Sequence, residues 1–160
     1  MIKVNQNVDN LGGVSRFVAI APSSFRRIRK DYPSGKNYLE IIPDNNVIEI
    51  PDSFFTHNVN EEREVTDGGY VYKVTCTGGL AGSAENERIS DLLQRGKWYL
   101  LSIDSLGNGR FFGGKEEVLF FSSTLDTGTA ASDRSKISFQ FSGEFSKPAI
   151  ILNCFTSDFF

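Results

Sequence analysis

Few residues in this chain combine reactive chemistry with a useful spacing. Leu125-Asp126-Thr127-Gly128-Thr129-Ala130 sets one carboxylate in a tight, hydroxyl-flanked turn. Such a carboxylate can activate water when a symmetry-related copy shares its proton, because two acids that close cannot both ionise. A homodimer would supply that copy. The same three residues, Asp126, Thr127 and Gly128, are also ordinary turn formers, which bend the backbone or bond to it locally. A second acidic stretch, Asp104-Ser105-Leu106-Gly107-Asn108-Gly109, begins like a calcium loop. An EF-hand loop needs an oxygen donor at its third position and a bidentate Glu at its twelfth. Leu106 and Lys115 occupy those places, which excludes it. Asn108-Gly109 reads instead as a hairpin corner, since both residues tolerate positive φ.

Leu125-Asp126-Thr127-Gly128 resembles the active-site loop of retroviral-type aspartic proteases. Those enzymes carry a later apolar pair followed by glycine, whereas Ile150-Ile151-Leu152 is followed here by Asn153. A protease using Asp126 is therefore the weakest of three functional readings. His57 is the only histidine, and Thr56 and Asn58 beside it offer neither a nucleophile nor a metal partner. Cys76 and Cys154 are too few for a zinc site and too sparse for a secreted disulfide framework. They read as buried thiols. The glycine pairs at 12–13, 68–69, 78–79 and 113–114 fit no phosphate-binding pattern. No catalytic, cofactor-binding or metal-ligating residue is assigned, and no cofactor is expected.

Arg26, Arg27, Arg29 and Lys30 place four cations within five residues. On a strand, Arg27 and Arg29 would share one face and Arg26 and Lys30 the other. The plain expectation is a solvated loop. The functional one is a patch that pairs with Glu61, Glu62 and Glu64 of a neighbouring subunit. Glu61-Glu62-Arg63-Glu64 itself reads as a wet strand edge that discourages uncontrolled strand addition. The net charge is −3 and the sequence pI about 5.2. That balance argues against non-specific nucleic-acid binding, which requires phosphate-neutralising Lys and Arg.

The elements that must position these residues are mostly strands. The 160 residues suit one domain spanning 1–160, and 14 Phe with 15 Gly favour pleated, half-buried surfaces and turns. Strands are expected near 14–22, 38–42, 47–50, 70–80, 98–103, 110–113, 117–124, 137–142 and 148–152. One short α-helix is expected over about 84–95, capped by Ser83, with Ile89, Leu92 and Leu93 on one face and Gly96 closing it in a left-handed turn. Trp98 reads as core. Residues 1–12 read as a flexible or assembly arm, and 58–67 as a long loop that orders on a neighbour. The fold class is mainly β: an antiparallel β-sandwich or small β-barrel. The start of the chain lacks the apolar stretch of a signal peptide, and no run is long enough to span a bilayer, so folding in a cytoplasm without membrane insertion is expected.

From Trp98 onward the chain resembles tail proteins of phages and prophages of Bacteroidetes-type bacteria. The resemblance runs over residues 98–149. It rests on the stretch from Ile103 to Gly113 (IDSLGNGRFFG), on Asp126-Thr127-Gly128-Thr129, on Asp133-Arg134-Ser135, and on the stretch from Ile137 to Glu144 (ISFQFSGE) before Pro148-Ala149. It departs at Leu106, where the pattern has Asn or Asp. The resemblance implies a tail-tube-like structural subunit without enzymatic activity, forming stacked rings with other copies and with other tail proteins. It implies assembly in the bacterial host cytoplasm and then residence in the virion. A strand such as 70–80 would present one face to a lumen, and mild acidity would let DNA slide without specific binding. A β-sandwich module that binds a protein or glycan partner is the alternative.

Overall fold

The computed structural model describes residues 13–42, 44–52, 56–130 and 134–152. The expected arm, residues 1–12, and Cys154 lie outside the described residues. Alternation builds the first half of the sheet. Ile137, Phe139 and Phe141 point inward from β10 (Lys136–Phe145), with Ser138 and Gln140 exposed between them. β10 is flanked antiparallel by β9 (Leu119–Asp126) and β6 (Gly69–Ala81). β6 then turns back on β5 (Asn58–Thr66), giving the order β9-β10-β6-β5. Residues 58–67, expected as a loop, are thus mostly strand. Val59 packs on the core and Glu61 is half-buried, the rest of the strand is exposed, and every position from Asn58 to Thr66 has a partner in β6.

The second half contains β1 (Val14–Ile20), β4 (Val47–Pro51), β7 (Lys97–Asp104), β8 (Gly109–Phe112) and β11 (Ile150–Leu152), in the order β4-β1-β7-β8-β11. β7 joins the halves: its first residues, Lys97 and Trp98, pair with Phe120 and Leu119, while Leu100 to Ile103 pair with β8. The nine strands fold over at this point into a sandwich-like, antiparallel arrangement. Phe17, Ala19, Leu100 and Phe112 from one half meet Cys76, Phe121, Phe139 and Phe141 from the other in one core.

β1 and β7 read as near-continuous apolar runs because both of their faces are covered. Val18, Ile20, Tyr99, Leu101 and Ile103 face away from the main core into a second cluster. Its lid is a separate hairpin of β2 (Phe25–Asp31) and β3 (Lys36–Ile41). The basic segment 26–30, expected as a solvated loop, therefore belongs to a strand. Phe25 and Ile28 pack on the second cluster, and Phe25 stacks on Phe111 at 5.4 Å and meets Tyr99 edge-on at 5.3 Å. Four cations hid that amphipathic role.

α1 (Ala84–Gln94) begins where the Ser83 hydroxyl accepts a hydrogen bond from the Asn86 N–H at 3.2 Å. Ile89 and Leu93 pack on the main core, but Leu92 is 49% exposed, because one residue along a helix turns through about 100°. Gly96 closes the helix without the expected left-handed φ. Its need for glycine is spatial: a Cβ there would sit 2.9 Å from the Trp98 indole. Trp98 is core, as expected, and its Nε1–H donates to the Leu93 carbonyl at 2.7 Å.

Candidate functional site

The acidic loops are turn devices. Asp126 Oδ1 accepts from the Gly128 N–H at 2.9 Å, and Gly128 carries a φ of 78°. The side chain expected to activate water spends an oxygen on its own turn, at an exposed strand end. Asp104 Oδ1 accepts from the N–H groups of Leu106 and Asn108, both at 2.9 Å. The left-handed residue of that corner is Gly107, at φ 85°, rather than the expected Asn108-Gly109 pair. Gly109 already belongs to β8. Cys76 is fully buried, and burial pushes its thiol up to about 12, with the Glu61 carboxylate adding to the effect. It is a packing residue, since the reactive form is the thiolate.

His57, expected to be incidental, is built into the core. It stacks on Phe17 at 4.5 Å, meets Phe139 edge-on at 5.5 Å, and is only 6% exposed. Neither ring nitrogen has a hydrogen-bond partner among the described residues. The ring also forms part of the inner wall of a polar cleft of about 670 Å³, shared with Asn58, Glu61, Ser102, Asp104 and Arg110. Glu61 Oε2 in that cleft accepts from the Ala149 N–H at 2.9 Å. Nothing in the sequence near position 57 signals this burial, because Phe17, Gly78 and Phe139 all lie far away along the chain.

Burial holds the imidazole below its ordinary value of 6.5, with the Asp52 carboxylate opposing. The unfolded chain therefore binds a proton at a pH where the native ring does not. The native preference is complete above the unfolded value and is lost as the pH falls below it. Stability is expected to drop between about pH 7.5 and 5.5, with a slope of at most about 1.4 kcal/mol per pH unit from this one proton. Urea midpoints of the parent and of His57→Leu across that range check it, the variant showing a flatter profile. Equal slopes would rule out His57 as the source.

The structure brings His57, Glu61 and Asp104 to one cleft, buries Cys76 in the core, and leaves Asp126 and the basic segment 26–30 apart from them. No group of His, Cys, Asp and Glu suited to a metal occurs among the described residues, and no described helix is long and apolar enough to cross a membrane. None of the protein-family models, curated proteins or solved structures compared matches this chain. The surfaces alone carry the functional reading.

The surface most open to a partner is the end of the sheet. Among the described residues β6 is the only neighbour of β5, so one row of N–H and C=O groups along its nine residues has no strand beside it. The other edges are shorter or covered. β4 has five residues and ends at Pro51, which lacks an N–H. β11 is met by β3, where Asn37 Nδ2 donates to the Ile151 carbonyl at 3.0 Å. Beyond Tyr72, the last β6 residue paired with β10, the β5–β6 hairpin continues alone for about 10 Å. Its tip exposes the cross-strand pair Val65 (74%) and Tyr70 (56%).

The outer face of the same half-sheet is polar and uncharged at its centre. Asn60, Thr75, Thr77, Ser122, Ser138 and Gln140 occupy matching positions across four strands. Towards its margins the same face carries Glu62, Glu64, Asp126 and Glu144 with Lys73 and Lys136.

Proposed function

We propose that the protein is a non-enzymatic structural subunit that assembles with copies of itself into rings, in the manner of a phage tail tube. The observation that carries this reading is the open nine-residue β5 edge, continuous with the projecting hairpin. Strand addition at that edge extends a sheet from one copy to the next through main-chain hydrogen bonds. Glu62 and Glu64 along it oppose indiscriminate pairing. The outer face, polar and uncharged at its centre, then lines the lumen. Hydroxyl and amide groups without Lys or Arg at the centre give phosphates nothing to neutralise them, so nucleic acid passes without being held. Other tail proteins are the further partners, assembly takes place in the bacterial host cytoplasm, and the virion is the destination.

A second reading, a binding module for a glycan or protein, draws on the polar cleft beside His57. Its weakness is chemical, since the one Trp, a preferred sugar-stacking side chain, is buried in the core. Light scattering over a concentration series, followed by negative-stain microscopy, tests the first reading. Rings or tubes are the expected result. A single-chain mass at every concentration overturns it and moves attention to the cleft.

A further inference from the structure

Two hairpins of this chain carry opposite charge. β2 and β3, with the turn between them, hold five cations against two carboxylates, Asp31 and Glu40. Glu40 is held below the usual carboxylate range, first by its hydrogen bond with Arg27 and further by the charges of Arg29 and Arg26. Arg27 Nε approaches it at 2.7 Å and Arg29 Nε at 3.6 Å. One carboxylate thus serves three guanidinium groups, and the hairpin surface keeps a positive excess. Arg29 also lies over the Tyr38 ring at 5.7 Å, and Tyr32 at the turn is 86% exposed.

The β5–β6 hairpin is the converse. Residues 61–73 hold four carboxylates and two cations. Lys73 pairs with Glu64 at 2.8 Å and also faces Glu62 and Glu144, and Arg63 lies over Tyr70 at 5.2 Å, so the hairpin keeps a negative excess. Glu62 and Glu64 are two residues apart on one strand face, as are Arg27 and Arg29. Both pairs therefore repeat at roughly 6.6 Å. Val65 and Tyr70 are exposed on the opposite face of the β5–β6 hairpin from Glu62 and Glu64, and Tyr32 is exposed at the β2–β3 turn.

We infer that the acidic β5–β6 hairpin of one copy docks on the basic β2–β3 hairpin of a second copy of this chain. The inference rests on the self-assembly reading and names the surfaces involved. The contact joins two different patches, so it is head-to-tail and repeats from copy to copy until a ring closes. Charge complementarity sets the register. A nucleic acid on the basic hairpin is the competing occupant, and the chain's net negative charge opposes it.

The test uses the whole chain with exposed positions reversed in charge. Arg26→Glu with Arg29→Glu, leaving Arg27 on Glu40, is expected to raise the concentration needed for self-association at least about tenfold. Glu62→Lys with Glu64→Lys is expected to do the same. All four substitutions in one chain should return it to within about threefold of the parent, because the attraction is restored with its sign exchanged. Thermal midpoints and circular dichroism confirm that each variant folds. Assembly unchanged by either reversal overturns this inference and leaves self-assembly standing. A parent chain that never associates overturns both. Binding of a short DNA duplex that is lost in the Arg variant, with assembly unaffected, assigns the basic hairpin to nucleic acid and also overturns it.

Discussion

Phe141→Ala is expected to cost about 3–5 kcal/mol of unfolding free energy. Phe141 is fully buried at the centre of β10, where the two halves of the sandwich meet. Its ring meets Phe121 at 5.0 Å and Phe139 at 5.9 Å, so removing it strips two aromatic contacts and leaves a cavity. Main-chain pairing on both sides, to Cys76 and to Phe121, holds the strand in place and limits collapse into the gap. Folded domains are typically stable by only 5–15 kcal/mol, so a large part of the native population is at stake. Urea unfolding should show a lower midpoint with an unchanged slope. Phe120→Ala is the internal comparison, since that ring is 55% exposed on the opposite face and should cost well under 1 kcal/mol. Similar losses at both positions would mean that the assigned inward face of β9 and β10 is wrong.

Gly78→Val is expected to destabilise by about 1–3 kcal/mol or more, for the opposite reason. A Cβ at position 78 would meet the His57 ring and come within 2.6 Å of Phe139 Cζ. Both rings are buried, and His57 is also stacked on Phe17, so neither can swing into solvent without opening the core. The collision predicts a particular failure of additivity. His57→Ala alone creates a cavity and destabilises, yet in the Gly78→Val background it frees the space the new side chain needs. The double variant should therefore lose less than the two single losses combined, by at least about 0.5 kcal/mol. Additive losses would show that the ring and the glycine do not share that space.

These two sites also show what the sequence made legible. Ile137, Phe139 and Phe141 at period two were enough to orient β10, because alternation is set by strand geometry and does not depend on distant residues. The Ser83 cap was readable for the same local reason. Three features were hidden. The amphipathic role of Phe25 and Ile28 was masked by the cations between them. The strand over 58–66 was masked because an edge strand needs no apolar face. His57 was masked because Phe17, Gly78 and Phe139 reach it only through tertiary packing. The chemical candidates fared similarly: Asp126 and Asp104 have reactive groups, and local backbone N–H groups use them. The surfaces that carry the functional reading were visible as charge runs, while their placement on two separate hairpins was set by pairing across the chain.

The position of β1 between β4 and β7 has a consequence for how the protein is made. Ile20 pairs with Tyr99 and Phe17 with Ser102, so the strand's second neighbour is synthesised some eighty residues later. At about 5–20 residues per second, translation leaves β1 waiting roughly 4–16 s for that partner. Phe17, Val18, Ala19 and Ile20, all buried in the native fold, stay partly uncovered for that interval. The emerging chain thus offers an apolar strand to ribosome-bound chaperones, and to other nascent chains, before any of its own sandwich can close.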